Sequence, residues 1–165
     1  MQRVFLFLAL CLFQLNAAFA AAATTSAGAV DVTLQAFQIA GSGKDVKLVP
    51  TTRALPGDTI EYQVTYRNGG TTPARQIKAV LPVPAGGMAY LADSALPARI
   101  DASLDGKTFA PAPLTREVVR EGRRVTEVVP VSEYRFLRWD LGDLPAGAAV
   151  TVTSRMRLAG APAQP

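Results

Sequence analysis

The 165-residue sequence contains no histidine and a single cysteine, Cys11, which lies among the first twenty residues. Zinc and copper sites are built mainly from histidine and cysteine, so no such site is expected in the rest of the chain. Nucleophilic catalysis with a histidine base or a cysteine thiolate is disfavoured on the same grounds, and no Ser-x-x-Lys motif takes its place. A single cysteine also cannot form an intramolecular disulfide.

Charged and aromatic residues are scarce, at 18% and 7% of the chain. With 17 basic and 13 acidic residues the net charge is +4, which is too weak an excess to indicate a nucleic-acid partner. The aspartates do not form the spaced oxygen-rich loop that Ca²⁺ requires, and turn or capping roles are expected for Asp58, Asp93, Asp140 and Asp143. We therefore predict no catalytic, cofactor-binding or metal-binding residues, and expect that the protein is not an enzyme.

The first twenty residues have the pattern of a cleaved secretory signal. Arg3 precedes a nearly continuous apolar run over 4–15, and small residues follow it up to Ala20. Cleavage is expected after Ala20 or after Ala23. The run is about a dozen residues long, shorter than the roughly twenty that span a bilayer, so an uncleaved anchor is the less favoured alternative. The sequence predicts a periplasmic or secreted protein without a membrane anchor after cleavage.

The rest of the chain is organised around residues 55–70. Within this stretch Ile60, Tyr62, Val64 and Tyr66 alternate with polar residues, as in a strand buried on one face. Several similar runs follow, separated by Gly/Pro turns, and no stretch has helical periodicity. The pattern predicts an all-β protein with an immunoglobulin-like β-sandwich and Greek-key connections.

The predicted domain covers 30–158, preceded by a flexible arm at 21–29 and followed by a disordered tail at 159–165. Two dipeptides predict hairpins within it. Asp105-Gly106 favours a two-residue turn between strands at 99–104 and 107–110. Glu121-Gly122 favours a second hairpin, between 115–120 and 123–129.

Trp139 could stack on a ligand, but Leu137 and Leu141 share its face of a predicted strand. A large aromatic residue in such a row is typical of a core position. We therefore predict that Trp139 is the central core side chain.

Two motifs carry a resemblance to a known family. Residues 56–70 read PGDTIEYQVTYRNGG, and residues 139–147 read WDLGDLPAG. Both resemble the DUF11 repeat of bacterial envelope and secreted proteins, over about 55–158. The resemblance implies an immunoglobulin-like sandwich used as a structural or adhesive module, with no shared catalytic residues. This chain differs in having one copy of the unit and a longer middle segment, 99–133.

A candidate partner-binding surface lies in the segment 116–138, which holds six arginines and four glutamates, so that six minus four leaves +2. Interleaved charges on strands are also typical of solvated cross-strand pairs that protect an edge from aggregation. The partner would be an envelope protein or a glycan, not a nucleic acid. The arginines chosen as the candidate surface are Arg116, Arg120, Arg123, Arg124 and Arg135.

Three functional hypotheses follow. The first is an exported immunoglobulin-like module with a structural or adhesive role in the cell envelope. The second is a periplasmic assembly or chaperone-like subunit that acts by β-strand addition. The third is a hydrolase or small-ligand binder with a pocket near 99–133, for which a carboxylate pair such as Asp140 with Glu133 is conceivable but not singled out.

Overall fold

The computed structural model describes residues 30–41 and 45–160, so the predicted leader 1–20 and arm 21–29 lie outside the described residues. The described residues form eleven β-strands and a three-residue 3-10 helix, Val131–Glu133, and contain no α-helix. The strands are β1 (Val30–Ala40), β2 (Lys47–Pro50), β3 (Thr59–Asn68), β4 (Ala74–Pro82), β5 (Met88–Tyr90), β6 (Asp101–Ser103), β7 (Ala110–Pro111), β8 (Thr115–Arg120), β9 (Arg123–Val128), β10 (Phe136–Leu144) and β11 (Ala149–Leu158).

The strands form two larger sheets and one separate hairpin. The first sheet has the order β2-β1-β3-β11-β5, the second β4-β10-β6-β7, and β8 pairs with β9 alone. All pairings are antiparallel. The two larger sheets enclose one apolar core, which confirms the predicted all-β sandwich and is consistent with an immunoglobulin-like arrangement.

β3 is the central strand of the first sheet, between β1 and β11. Its alternation places Ile60, Val64 and Tyr66 in the core, as predicted. The opposite face holds one buried charge, Glu61, whose Oε2 accepts a hydrogen bond from Arg155 Nε on β11 at 2.9 Å. β3 is therefore held to its neighbour by a charge pair as well as by the ladder.

Trp139 lies at the centre of the core, with 1% of its surface exposed. Its indole Nε1 donates a hydrogen bond to the Pro97 carbonyl at 2.9 Å, so its polar atom is satisfied as buried indoles require. Leu137, on the same face of β10, is also fully buried. The predicted core role of Trp139 is confirmed.

A buried asparagine fixes the end of β3. Asn68 Nδ2 donates to the carbonyls of Thr72 and Leu144, at 2.8 and 2.9 Å. Its Oδ1 accepts the N–H of Gly70 at 3.0 Å. One side chain therefore shapes the turn after β3 and ties that turn to the end of β10 in the second sheet.

The predicted two-residue turn at Asp105-Gly106 is wrong. β6 and β7 pair through Asp101↔Pro111 and Ala102↔Ala110, which leaves a loop over 104–109. Side chains organise that loop: Asp105 Oδ1 accepts the N–H groups of Lys107 and Thr108, each at 2.8 Å. These local bonds compete with cross-strand backbone pairing.

Close packing explains the glycine in the same loop. Gly106 has φ +75, and a Cβ there would lie 2.7 Å from the ring of Phe136. Ser103 Oγ accepts the N–H of Gly106 at 2.9 Å. The loop therefore packs against Phe136 of β10.

The first half of β1 is paired but uncovered. Val32 and Leu34 lie opposite Tyr66 and Val64 of β3, so their side chains are on the core side of the sheet. They are nevertheless 56% and 57% exposed. The second sheet does not cover this part of β1, although its alternation is that of a strand with a buried face.

Candidate functional site

The β8–β9 hairpin leaves the sandwich at a buried, hydrogen-bonded base. Val129 donates its N–H to the Leu114 carbonyl at 2.8 Å, and Leu114 donates its N–H to the Tyr134 hydroxyl oxygen at 2.8 Å. All three side chains are buried. The Tyr134 ring also stacks on Tyr90, with ring centroids 6.3 Å apart. The hairpin is therefore attached to the core and is not part of a loose loop.

Beyond that base the hairpin stands apart from the sandwich, since β8 and β9 pair only with each other among the described strands. Their register runs from Thr115↔Val128 to Arg120↔Arg123. Glu121 and Gly122 form the turn with φ values of 51° and 76°, the combination that a two-residue hairpin turn requires. The hairpin predicted at Glu121-Gly122 is confirmed.

One face of the hairpin carries an ion-pair network. Glu127 accepts hydrogen bonds from Arg120 Nη2 and Arg116 Nε, at 2.6 and 2.9 Å. Arg116 Nη1 also lies 2.7 Å from Glu133 Oε2, in the 3-10 helix. The network neutralises part of the basic charge that the sequence places in this segment.

The same contacts shift two pKa values. The hydrogen bond from Arg120, and then that from Arg116, lowers the pKa of the Glu127 carboxyl. The hydrogen bonds to Glu127, and then to Glu133, raise the pKa of the Arg116 guanidinium. Both groups are therefore charged at neutral pH and hold each other in place.

The remaining arginines of the predicted surface do not join this network. Arg123 lies on the same face, opposite Arg120, and forms no ion pair with any residue of 30–41 or 45–160. Arg124 lies on the other face, 3.8 Å from Glu117. Arg135 lies outside the hairpin and donates to the carbonyls of Ser132 and Tyr134. The five arginines are therefore spread over three places.

The opposite face of the hairpin exposes two valines that the charge pattern did not indicate. Val119 is 70% exposed and Val128 is 61% exposed. A sequence signal for Val119 existed, because Val118 and Val119 are adjacent and a strand must point them to opposite faces. The face of Val119 and Val128 thus combines exposed apolar side chains with the Arg124–Glu117 pair, whereas the opposite face carries the ion-pair network of Arg116, Arg120 and Glu127.

A cavity with a volume of about 450 Å³ lies beside the base of the hairpin. Its lining includes Tyr90, Ile100 and Tyr134 from the core and Val128 from the hairpin, with Asp93 as its charged residue. Neither Glu133 nor Asp140, the pair considered for a hydrolase, lines it, and Glu133 is paired with Arg116. The cavity therefore lacks the two adjacent carboxylates that hydrolysis of this type needs.

Three of the aspartates considered as cation ligands accept hydrogen bonds from backbone N–H groups. Asp58 accepts the N–H of Leu55, Asp143 that of Gln76, and Asp140 that of Gly142. Within 30–41 and 45–160, no group of three or more acidic, histidine or cysteine residues is placed to hold a metal ion. The predicted turn role is confirmed for Asp58, whereas Asp140 and Asp143 lie within β10, where its pairing with β4 is irregular.

The described part of the chain has no helix that could cross a bilayer. Comparisons with protein-family models, with curated proteins and with solved structures found no match. The resemblance to the DUF11 repeat therefore stays a prediction from the two motifs.

Proposed function

We propose that this protein is an exported immunoglobulin-like module with a structural or adhesive role in the bacterial cell envelope. It binds a partner protein through the β8–β9 hairpin. The observation that carries the proposal is the hairpin itself, which is firmly anchored yet presents both of its faces to solvent. The signal-like leader of the sequence supports export.

The hairpin adds nothing to the core. Residues 116–127 contribute no fully buried side chain, and a two-stranded hairpin is marginally stable by itself. The stability of the β8–β9 hairpin therefore depends on its buried base at Leu114, Val129 and Tyr134. Segments held on a rigid scaffold without a packing role are where binding residues concentrate.

The chemistry of the hairpin favours a protein partner. Residues 116–127 hold four arginines and three glutamates, so four minus three leaves +1, which is too little for a polyanion. Valines beside paired charges match a protein interface, with an apolar centre and a polar rim. Glycan binding commonly uses exposed aromatic rings, whereas Trp139, Tyr134 and Tyr90 are buried here.

The test removes the hairpin and keeps its base. Thr115 and Val128 lie directly opposite each other, so 116–127 can be replaced by Asn-Gly, which forms a two-residue turn. We expect the variant to fold with a melting temperature near that of the wild type, because no buried side chain is lost. When it is used as bait on an envelope extract, the shortened variant should not retain the proteins that the wild-type chain retains. Mass spectrometry quantifies the retained proteins.

Two point variants separate the faces of the hairpin. Val119→Ser alters the face with the two exposed valines, and Arg120→Gln alters the face with the ion-pair network. We expect Val119→Ser to reduce capture more strongly, since apolar anchors dominate binding free energy. If the shortened variant and the wild type retain the same proteins in equal amounts, the hairpin is not the binding element and the proposal is wrong.

Assembly by β-strand addition is the second candidate function. It is favoured by a different observation, the uncovered first half of β1, whose backbone edge could accept a further strand. The two candidates use separate parts of the molecule, and deleting the hairpin leaves β1 unchanged.

A further inference from the structure

β1 has two halves with different neighbours. Residues 37–40 pair with β2, whereas residues 30–35 pair with β3 alone among the described strands. The first half therefore forms an edge of the five-stranded sheet.

The backbone of this edge presents hydrogen-bonding groups that no described strand pairs. Thr51 donates its N–H to the Ala36 carbonyl at 2.9 Å, which places the polar groups of Ala36 on the side away from β3. Backbone groups alternate in direction along a strand, so those of Val32 and Leu34 also point away from β3. No strand of the described residues meets them there.

The edge strands β2 and β4 carry residues that discourage pairing with a further strand. Lys47 and Pro50 lie on β2, and Lys78 and Pro82 on β4. Lysine and proline are the common means of protecting an edge strand from another chain. Residues 30–35 read VDVTLQ, with no lysine, arginine or proline, so this edge lacks the protection that the others have.

We propose that two copies of this chain pair through this edge, antiparallel and about a two-fold axis at Thr33. This register places Val32 opposite Leu34 of the second copy and Asp31 opposite Gln35 of the second copy. Each Val32–Leu34 pair exchanges two backbone hydrogen bonds, so the two symmetric pairs form four. No like charges face each other, and the segment is thus complementary to itself.

The pairing joins two five-stranded sheets into one of ten strands. On the core side, Val32 and Leu34 already continue the row that begins with Val64 and Tyr66. The second copy adds the same two side chains beside them, which reduces the exposure of all four. The proposal does not depend on the hairpin or on the proposed envelope partner.

A cysteine on the two-fold axis tests the register. In this pairing Thr33 faces itself at a non-hydrogen-bonded position, where Cα atoms lie about 4.5 Å apart, within the range that a disulfide spans. Thr33→Cys in the full chain carrying Cys11→Ser should form a covalent dimer under mild oxidation. Thr126→Cys, an exposed threonine on the hairpin, is the matched control and should not.

Two charged substitutions at Thr33 test the affinity of the dimer. Thr33→Lys and Thr33→Glu should each weaken the dimer about tenfold or more by opposing like charges, and an equimolar mixture should restore association. Sedimentation velocity over a range of concentrations measures both effects. A wild-type chain that stays monomeric at every concentration overturns the proposal, as does cross-linking of Thr33→Cys no greater than that of the control. Unchanged association of Thr33→Lys also overturns it, because pairing would then occur elsewhere.

Discussion

Two hairpins follow each other in the chain, and only the first of them is part of one of the two larger sheets. The first, β6–β7, has strands of three and two residues, yet it joins the second sheet beside β10. The second, β8–β9, has six residues in each strand and joins neither of the two larger sheets. The shorter hairpin is therefore the integrated one.

The difference lies in which side chains can be buried. β6 buries Ala102 and Ser103 and fills the free edge of β10. Arg138 of β10 clamps it, with Nη2 2.6 Å from Asp101 Oδ2 and the guanidinium 4.2 Å from the centre of the Phe109 ring. The second hairpin carries ion pairs on both faces and only isolated exposed valines between them. Docking thus depends on a buriable face and an available edge, and not on the length of the ladder.

The largest effect on stability is expected in β10, the strand that the first hairpin joins. Trp139→Ala should lower the free energy of unfolding by about 3–5 kcal/mol, because it leaves a large cavity and an unpaired Pro97 carbonyl. Urea unfolding at pH 7 measures the loss. Val119→Ala on the free hairpin is the control and should change stability by no more than about 0.5 kcal/mol. Similar losses of unfolding free energy in the two variants would show that the second hairpin is as important for stability as β10.

An intermediate effect is expected at the anchor of the second hairpin. Tyr134→Phe keeps the ring that stacks on Tyr90 but leaves the N–H of Leu114 without its acceptor, at a cost of about 1–3 kcal/mol. Hydrogen exchange should quicken across 115–128 more than in β3. If exchange in the hairpin is unchanged, the hydroxyl is not what anchors it.

The smallest effect concerns the loop of the first hairpin. The backbone N–H groups of Thr108 and Lys107, and then the Ser103 hydroxyl, lower the pKa of the Asp105 carboxyl to about 2. A carboxyl whose pKa is lower in the folded state stabilises that state above its unfolded pKa and loses the effect as pH falls. The stabilising effect of Asp105 should therefore be complete above about pH 4 and disappear towards pH 2.

Thermal unfolding of the wild type and of Asp105→Asn over pH 6 to 2 checks this expectation. The melting temperatures should differ at pH 6 and converge at pH 2, because asparagine keeps the oxygen acceptor but carries no charge. A difference that stays constant with pH would show that the carboxylate charge does not contribute.

Local alternation was enough to predict much of the fold. The rows on β3 and β10 gave the inward residues Ile60, Val64 and Trp139, and the Glu121-Gly122 turn gave the second hairpin. In these cases the pattern along one strand determines its structure, because burial on one face and positive φ at a turn are local requirements.

Non-local features could not be predicted in the same way. The pattern of Val32 and Leu34 shows which face is apolar, but not how far the opposite sheet extends. At Asp105, side-chain bonds within the loop overrode the turn that the dipeptide favours. The arginines suggested a continuous surface, but the strand register divided them between two faces and a separate position at Arg135.

The topology around β3 also determines how the domain responds to tension. Val30 is opposite Asn68 at one end of β3, and Arg157 is opposite Thr59 at the other. A pull between the two termini of the domain therefore draws β1 and β11 lengthwise along β3 in opposite directions. Each ladder holds nine residue pairs, and their hydrogen bonds lie across the direction of pull. The load is shared by all of them in shear, so this sandwich would resist stretching as a mechanical link.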